Sequence, residues 1–334
     1  EGGRINERML MSDVNWLNQN RFRTIDVFFQ PGAVKGESDL VVRSKERFPL
    51  GGSVGFDNSG NRLTGENRFF AGLEWGKAFG LNDHSLTYRY TADTDFEFLN
   101  AHSVSYAIPF PWHHTLRLSG AYASVKGDIP STPVTQEGTS YMANLRYEMG
   151  LPSIRDYRQM LSMGADFRQM DNNLEFNFAN VFGETIEVAQ LALGYSGLLP
   201  DSWGSTFLGA EVSYSPGDVT VRNNDQAFSK SYPFAKADYV AKADYVYAVL
   251  SAERVTRLPL GLSWRLRGTY QIADGNLLPS EQIGLGGAYT VRGYEERSAN
   301  GSAKNAPGLV GRTALTRGSA WSTCRLGLIA KIGR

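Results

Sequence analysis

Side-chain polarity alternates with a period of two through most of the chain, and this alternation limits the fold more than any other feature. In the segment Leu262–Gln271, leucine, tryptophan and tyrosine alternate with serine, arginine and glutamine. Alternate residues of a strand point to opposite faces of a sheet, so one face is apolar and the other carries arginine. A face with charged side chains needs water or polar partners. The pattern therefore predicts strands that separate an apolar environment from a wet one.

The connectors between these strands indicate how the sheet is arranged. Eleven strands are predicted, centred near residues 52, 71, 88, 105, 120, 145, 165, 190, 210, 247 and 267. Short turns rich in Pro, Gly and Asp follow the even strands, and longer polar loops such as 126–138 and 216–236 follow the odd ones. This asymmetry is typical of an outer-membrane barrel. No apolar run reaches the length of about 18 residues that a transmembrane helix needs. The prediction is an all-β transmembrane barrel of antiparallel strands.

Charge and residue content argue against several kinds of site. The 34 basic and 34 acidic residues give a formal charge of zero, which offers no electrostatic basis for nucleic-acid binding. A single cysteine, Cys324, excludes a disulfide framework. The four histidines, at positions 84, 102, 113 and 114, signal no further metal ligand. The glycine-rich segments introduce no helix and the serines lack a nucleophile elbow, so we predict no enzyme, metal site or cofactor.

A separate unit precedes the predicted strands. Residues 5–18 place apolar side chains at helical spacing, and residues 23–31 and 38–43 form two predicted strands around the Pro31-Gly32 turn. A helix and two strands are too little for an independent core. The N-terminus has no basic-then-apolar signal peptide, so we expect the chain to be the middle part of a longer product.

Two motifs, which follow one another in a fixed order, link the alternating pattern to a known protein family. The first is FDNSGNRLTGENR at 56–68, followed by FGLND at 79–83, and the second is GGAYTVRGYEE at 286–296. Together they resemble the barrel of the two-partner-secretion outer-membrane transporters, the haemolysin and haemagglutinin secretion-activation proteins of the ShlB/FhaC/HecB type. The residues of interest are Asp57, Asn58, Gly60 and Gly65 in the first motif and Val291, Arg292, Gly293 and Tyr294 in the second.

The resemblance implies a domain organisation. Residues 1–46 would be the C-terminal part of a periplasmic polypeptide-transport-associated (POTRA) domain, where LNQNRFR at 17–23 resembles the family pattern except that Arg21 replaces the usual proline. Residues 47–297 would be barrel strands with an internal loop. The family barrel has sixteen strands, so we expect a chain truncated at both ends. In residues 298–334 the alternation gives way to small and polar residues, which predicts an atypical tail of the kind a frame shift produces.

The resemblance also implies roles for the two motifs. In this family the VRGY arginine folds a large loop back into the pore and pairs with an acidic residue on a later strand. No such strand is predicted here, and for Arg292 both a bond to its own loop and a buried ion pair stay open. We expect the segment from about residue 272 to 296 to fold back toward the lumen. For Asp57, Asn58, Gly60 and Gly65, turn chemistry is favoured over substrate contact.

The function implied by the resemblance is export. A monomeric barrel in outer-membrane lipid, with its N-terminal part in the periplasm, would secrete and activate a large exoprotein of the haemolysin or adhesin type. The first alternative is a barrel-assembly factor, which shares the VRGY loop, and the second is a general diffusion porin. The segments DNSGNRLTG and NLLPSEQIGLGG favour export, and a porin has no need for residues 5–45.

Overall fold

A large antiparallel sheet dominates the computed structural model, which describes residues 6–34, 36–58, 60, 65–128, 134–171, 173–176, 179–182, 185–230, 240–286, 299–301, 308–317 and 323–328. The helices in this part of the chain are α1 (Glu7–Leu17) and α2 (Asp225–Lys230), and short 3₁₀ turns cover Ala78–Gly80 and Pro259–Gly261. Neither described helix has the length and apolar character needed to cross a bilayer. The strands are β1 (Arg23–Pro31), β2 (Ser38–Glu46), β3 (Leu50–Asp57), β4 (Arg68–Gly76), β5 (Ser85–Asp93), β6 (Leu99–Phe110), β7 (His114–Asp128), β8 (Val134–Ile154), β9 (Tyr157–Asp171), β10 (Asn173–Phe176), β11 (Ala179–Phe182), β12 (Thr185–Asp201), β13 (Gly204–Pro216), β14 (Asp244–Arg257), β15 (Leu262–Ala273), β16 (Ile283–Leu285), β17 (Ala299–Gly301), β18 (Gly308–Arg317) and β19 (Thr323–Leu328).

The large sheet follows the order of the chain. From β3 to β9 and from β12 to β15 each strand pairs with the next strand along this path, and the β10–β11 hairpin attaches to β8. All eleven predicted strands are present, which confirms the all-β antiparallel prediction. Turns of two to eight residues join β4 to β5, β6 to β7, β8 to β9, β12 to β13 and β14 to β15. At the opposite end the connections 58–67, 172–184 and 217–243 are longer, but 94–98 and 129–133 are short, so the predicted loop 126–138 is mostly strand.

Four described strands of the large sheet were not predicted: the short β10 and β11 between β9 and β12, and β18 and β19 after β15. β18 pairs with β15, from Leu262 opposite Arg317 to Gln271 opposite Gly308, and β19 pairs with β18. Both lie in residues 298–334, where side-chain alternation is weak. Backbone hydrogen bonds form regardless of side-chain polarity, so a strand without alternation escapes a search based on polarity. Residues 308–317 and 323–328 of this tail therefore continue the large sheet, whereas β17 pairs with β16 in a separate two-stranded sheet.

The two faces of the sheet differ sharply. Trp264 and Leu250 are 42% and 48% exposed and lie on one face, which we call the outer face. Tyr88 is on the same face, since its cross-strand partners are Leu73 and Val104. Arg265 and Arg267 alternate with Trp264 and so lie on the opposite, inner face, together with the residues directly across from them, such as Glu253. The orientation expected from the sequence is therefore confirmed.

Apolar packing on the inner face is concentrated at the long-loop end. Helix α2 and the segment after β15 meet the inner side chains of β12 and β14 there. The buried cluster consists of Ile186, Val188, Ala227, Phe228, Ala241, Ala243, Tyr245, Tyr247, Ala273, Leu277 and Leu278. The described half of the predicted internal loop, residues 274–286, thus does pack against the inner face.

The N-terminal unit stands apart from the large sheet. β1 and β2 pair only with each other among the described strands, with Val27 opposite Val42. Asn18, just after α1, donates to the Ile25 carbonyl at 2.9 Å and accepts from the Ile25 N–H at 2.6 Å. The predicted helix and hairpin are therefore one unit outside the large sheet.

The two faces make a stability prediction. Leu250→Arg would place a charge on the outer face in the middle of β14, and in lipid vesicles we expect it to lower the free energy of unfolding by about 2–4 kcal/mol. The neighbouring Ser251→Arg places the same side chain on the inner face, and its effect should be much smaller. Guanidinium titration of both variants in vesicles measures the difference. Equal losses would show that the outer face does not meet hydrocarbon.

Candidate functional site

The segment after β15 leaves the strand by a defined turn. The Asp274 N–H donates to the Val246 carbonyl at 3.1 Å, and the Asp274 carboxylate accepts from the Val246 N–H at 3.0 Å. This double contact ties the start of the segment to the end of β14. Leu277 and Leu278 follow and are 2% and 0% exposed, so the segment turns inward at once.

A buried carboxylate anchors residues 274–286 to the inner face of the sheet, which we also call the wall. The side chain of Glu281 has no exposed surface and forms an ion pair with Arg168 on β9, with 2.5 Å between Oε1 and Nη1. The Tyr247 hydroxyl donates to the other carboxylate oxygen at 3.0 Å, and the Ser280 hydroxyl donates to Oε1 at 3.1 Å. Both oxygens of Glu281 are thus engaged. A buried charge is tolerated only with such compensation, so this contact fixes where the segment lies.

The Gln271 side chain holds the backbone of the segment immediately after Glu281. Its side-chain amide donates to the Glu281 carbonyl at 2.7 Å and accepts from the Ile283 N–H at 2.8 Å. Gln271 is itself only 2% exposed on β15. The segment is therefore fixed to β9 by an ion pair and to β15 by hydrogen bonds between the Gln271 side chain and the segment's backbone.

A second charged cluster lies next to the first on β9. Asp166 is 4% exposed and receives two hydrogen bonds from Arg146, at 2.6 and 2.7 Å. It also accepts from Asn144 and, at 3.3 Å, from Gln190. Tyr245 donates to the Gln190 side-chain oxygen at 3.1 Å. Because Asp166 and Arg168 are two residues apart, they share the inner face, and the two clusters form one polar band across the wall.

The described residues of the first sequence motif lie at the end of β3, at the start of β4 and in the connection between them. Asp57 ends β3 opposite Arg68, and Asn58 follows it. The Gly60 N–H donates to the Glu66 carbonyl at 2.9 Å, and a Cβ added at Gly60 would lie 2.0 Å from the Gly65 carbonyl oxygen. Gly65 has a φ of +84°, which favours glycine. This geometry is consistent with the turn interpretation of these residues.

The second motif is not in view. Val291, Arg292, Gly293 and Tyr294 lie outside the described residues, so their roles stay predictions. Sequence analysis did not identify Arg168 or Glu281 as site residues, although each has a feature that could have drawn attention to it. Glu281 is the one acidic residue in NLLPSEQIGLGG, and Arg168 stands at a strand position of inner parity beside Asp166.

Aromatic side chains collect on the outer face near the short turns. The Phe110 and Trp112 rings stack with 4.7 Å between centroids, and Trp112 donates to the Tyr147 hydroxyl at 3.1 Å. The Trp75 and Phe79 rings lie 5.1 Å apart beside the next turn. Such a band of amphipathic rings is typical of a membrane interface. Within the described residues, no group of three or more His, Cys, Asp or Glu side chains is placed to hold a metal ion.

The family and the curated relatives agree with this architecture. The model of the family "Haemolysin secretion/activation protein ShlB/FhaC/HecB" matches residues 36–312. The outer membrane transporter CdiB of Escherichia coli O6:K15:H31 (strain 536 / UPEC) is 24% identical over 318 residues, which cover 90% of this chain and 50% of that protein. CdiB of Dickeya dadantii (strain 3937) is 22% identical over 322 residues, covering 90% of this chain and 53% of that protein. The chain thus spans about half the length of the curated relatives it matches.

Solved structures share the fold. CdiB from Escherichia coli matches with a TM-score of 0.79 at 18% identity, over 96% of this chain and 58% of that one. CdiB from Acinetobacter baumannii has a TM-score of 0.66 at 17% identity, over 99% and 62% of the two chains. BamA from Haemophilus ducreyi lacking POTRA domains 1–3 has a TM-score of 0.53 at 12% identity, over 96% and 63%. The sheet is therefore that of a transmembrane β-barrel.

The Glu281 anchor can be tested by removing its cation. Arg168→Met leaves a buried carboxylate unpaired, a loss that costs about 3–5 kcal/mol in general. We expect residues 274–286 to leave the wall and to become sensitive to protease in purified protein. Arg117→Met is the control, because the ion pair of Arg117 with Glu148 is more exposed. Exposed pairs contribute about 0–1 kcal/mol to stability. An Arg168→Met segment that stays protected would show that Gln271 and the apolar contacts suffice.

Proposed function

This chain belongs to the haemolysin secretion/activation protein family ShlB/FhaC/HecB and lies in the outer membrane of a Gram-negative cell, and on that premise we propose that it acts as an outer-membrane pore for protein secretion. Its cargo is a large exoprotein of the haemolysin or adhesin type, which it secretes and activates by two-partner, type Vb, secretion. It works as a monomeric barrel in lipid, without a cofactor and without enzymatic activity.

The observation that carries the proposal is the segment held inside the polar face. Residues 274–286 occupy the inner side of the sheet through Glu281, Arg168 and Gln271. A pore that holds part of its own chain against its inner face is narrowed until that part moves. Such a segment suits a pore for an unfolded polypeptide, which enters from the periplasm, displaces the segment and folds outside.

Domain roles follow the same proposal. Residues 1–46 act as the C-terminal part of a POTRA domain that receives the exoprotein, in part by strand pairing with exposed edges. Residues 47–297 form barrel strands and the internal loop. Because β18 and β19 extend the sheet, we assign residues 308–328 to the barrel as well.

A barrel-assembly factor is the second candidate function, and the likeness to BamA in fold favours it. The two functions predict different losses in cells that lack the protein. An assembly factor is needed by many outer-membrane barrels, whereas a secretion pore is needed by its exoprotein alone.

Deletion of the gene should abolish surface exposure of one exoprotein. We expect an epitope-tagged protein of the same genome that begins with an N-terminal secretion domain to stay inside the deletion strain and to reach the surface once the gene is restored. Immunodetection on intact cells measures this, with total porin in the outer membrane as the control. A fall in porin with normal exoprotein exposure would favour the assembly function.

Arg292 gives a second test of the proposal. In the VRGY motif it is the charge expected to hold the internal loop, so Arg292→Ala should reduce secretion of the tagged exoprotein. Barrel insertion should be largely kept, because the strands make the membrane contacts. Surface exoprotein and heat-modifiable barrel are measured in the same cells. Normal secretion would remove Arg292 from the mechanism, and loss of the barrel would limit it to stability.

A further inference from the structure

Besides the exposed ion pairs of Arg21 with Glu74 and of Lys77 with Glu46, the N-terminal unit contacts the short-turn end of the large sheet at three places. We call these contacts the joint. They involve the start of β3, the β4–β5 turn and the β6–β7 turn. The residues of the joint are Phe22 with Gly51 and Gly76, Asn20 and Arg23 with Asp83, and Asp13 and Trp16 with His113.

The Phe22 ring lies in a space between Gly51 and Gly76 that a side chain at residue 76 would fill. We call this space the glycine seat. A Cβ added at Gly76 would lie 2.3 Å from Cδ2 of the Phe22 ring, and one at Gly51 would lie 3.9 Å from the ring edge. Gly76 does not have a positive φ, so its backbone suits any residue. The space taken by Phe22 is therefore the reason for glycine at this position. The Phe22 carbonyl also accepts from the Arg47 N–H at 2.7 Å, which ties the seat to the connection into β3.

The other two contacts are polar and involve strained turn residues. Asp83 has a φ of +65° and accepts from Asn20 at 2.8 Å, while Arg23 lies 2.9 Å from the same carboxylate oxygen. The Arg23 side chain is only 17% exposed, so this pair is shielded more than a surface ion pair. His113 also has a φ of +65°, lies 3.1 Å from Asp13, and packs against Trp16 with 5.3 Å between ring centroids.

Contacts at three separate places, namely the ends of β3 and β4 and two different turns, determine the orientation of a rigid unit. The connection between β2 and β3 is only residues 47–49, and the Gly76 N–H donates to the Pro49 carbonyl at 2.8 Å, so little slack remains. Asn20, Phe22 and Arg23 all belong to the segment LNQNRFR. The segment that the sequence singled out thus supplies most of the N-terminal unit's side of the joint, and Asp13 and Trp16 of α1 supply the rest.

We propose that the joint fixes the angle at which the N-terminal unit delivers an incoming polypeptide to the barrel, with Phe22 in its glycine seat as the positioning residue. The proposal rests on the proposed function as a secretion pore. It requires that the joint stays closed while the exoprotein passes. Phe22 acts through orientation and makes no contact with cargo.

Closure of the joint can be measured without any exoprotein. In a Cys324→Ser background, Arg21→Cys and Glu74→Cys, which replace an exposed ion pair beside the joint, are treated with a short bifunctional thiol reagent, and the yield of the internal crosslink reports closure. Gly76→Ala should lower this yield several-fold, because its methyl group displaces Phe22. Adding Phe22→Leu, which makes room for that methyl group, should restore the yield. Gly268→Ala is the matched control, since a Cβ there meets nothing within 4 Å.

Secretion of the tagged exoprotein is then measured for the same glycine variants without the cysteine pair. Gly76→Ala should reduce secretion several-fold with unchanged heat-modifiable barrel, and Phe22→Leu should rescue it, whereas Gly268→Ala should secrete normally. The crosslinked cysteine pair should also secrete normally. An unchanged crosslink yield in Gly76→Ala would overturn the joint. Normal secretion despite a lost crosslink, or a block by the crosslink itself, would overturn the positioning role. If the unsubstituted protein secretes nothing, the proposed function fails, while the crosslink yields still decide whether the joint exists.

Discussion

Pairing of backbone hydrogen bonds is the constraint on which the whole structure depends. Hydrocarbon offers N–H and C=O groups no partner, so every strand that enters it must be paired within the protein. Between its two described edges, β3 and β19, the large sheet meets this demand by antiparallel pairing of neighbouring strands. Register then decides which side chains meet lipid, because a slip of one residue would exchange the two faces. Residues directly across from one another show this register. For example, Tyr270, Leu250 and Ala210 lie side by side on the outer face.

In the middle of the strands charge is confined to the inner face as a consequence, whereas the outer-face ion pairs of Arg254 with Asp201 and of Lys126 with Glu137 lie toward strand ends. The inner charge takes two forms. Arg265 is 60% exposed on its side chain and stays solvated, whereas Glu281 is fully covered and relies on Arg168. Leaving the wall would expose both partners of the buried pair to a polar lumen, where water can replace the lost contact. Separation there costs far less than it would in a dry core. A buried ion pair on a wet wall can thus hold a segment in place and still release it.

The strength of the alternation explains how much of this could be predicted. Strands such as 262–271 carry the pattern over their whole length, so the sequence predicted their existence and the opposite directions of Trp264 and Arg265. β18 was missed because its side chains do not alternate cleanly. The pair of Arg168 and Glu281 could not be predicted, since its members are 113 residues apart and a sequence shows a charge without its partner. The motif at 291–294 lies outside the described residues and stays a prediction.

The internal segment and the joint act at opposite ends of the same strands. In β14, Tyr247 contacts the segment near one end and Arg257 ends the strand at the short turns, ten residues or roughly 33 Å away at about 3.3 Å per residue. A paired sheet cannot shift its register by a fraction of a residue, so a small movement at one end is not passed along the strands to the other. Contacts this far apart and without shared partners contribute independently. The proposed delivery of a polypeptide at the joint and the proposed release of the internal segment are therefore two separate controls on one sheet, and on this proposal coupling between them comes from the polypeptide that passes from one to the other.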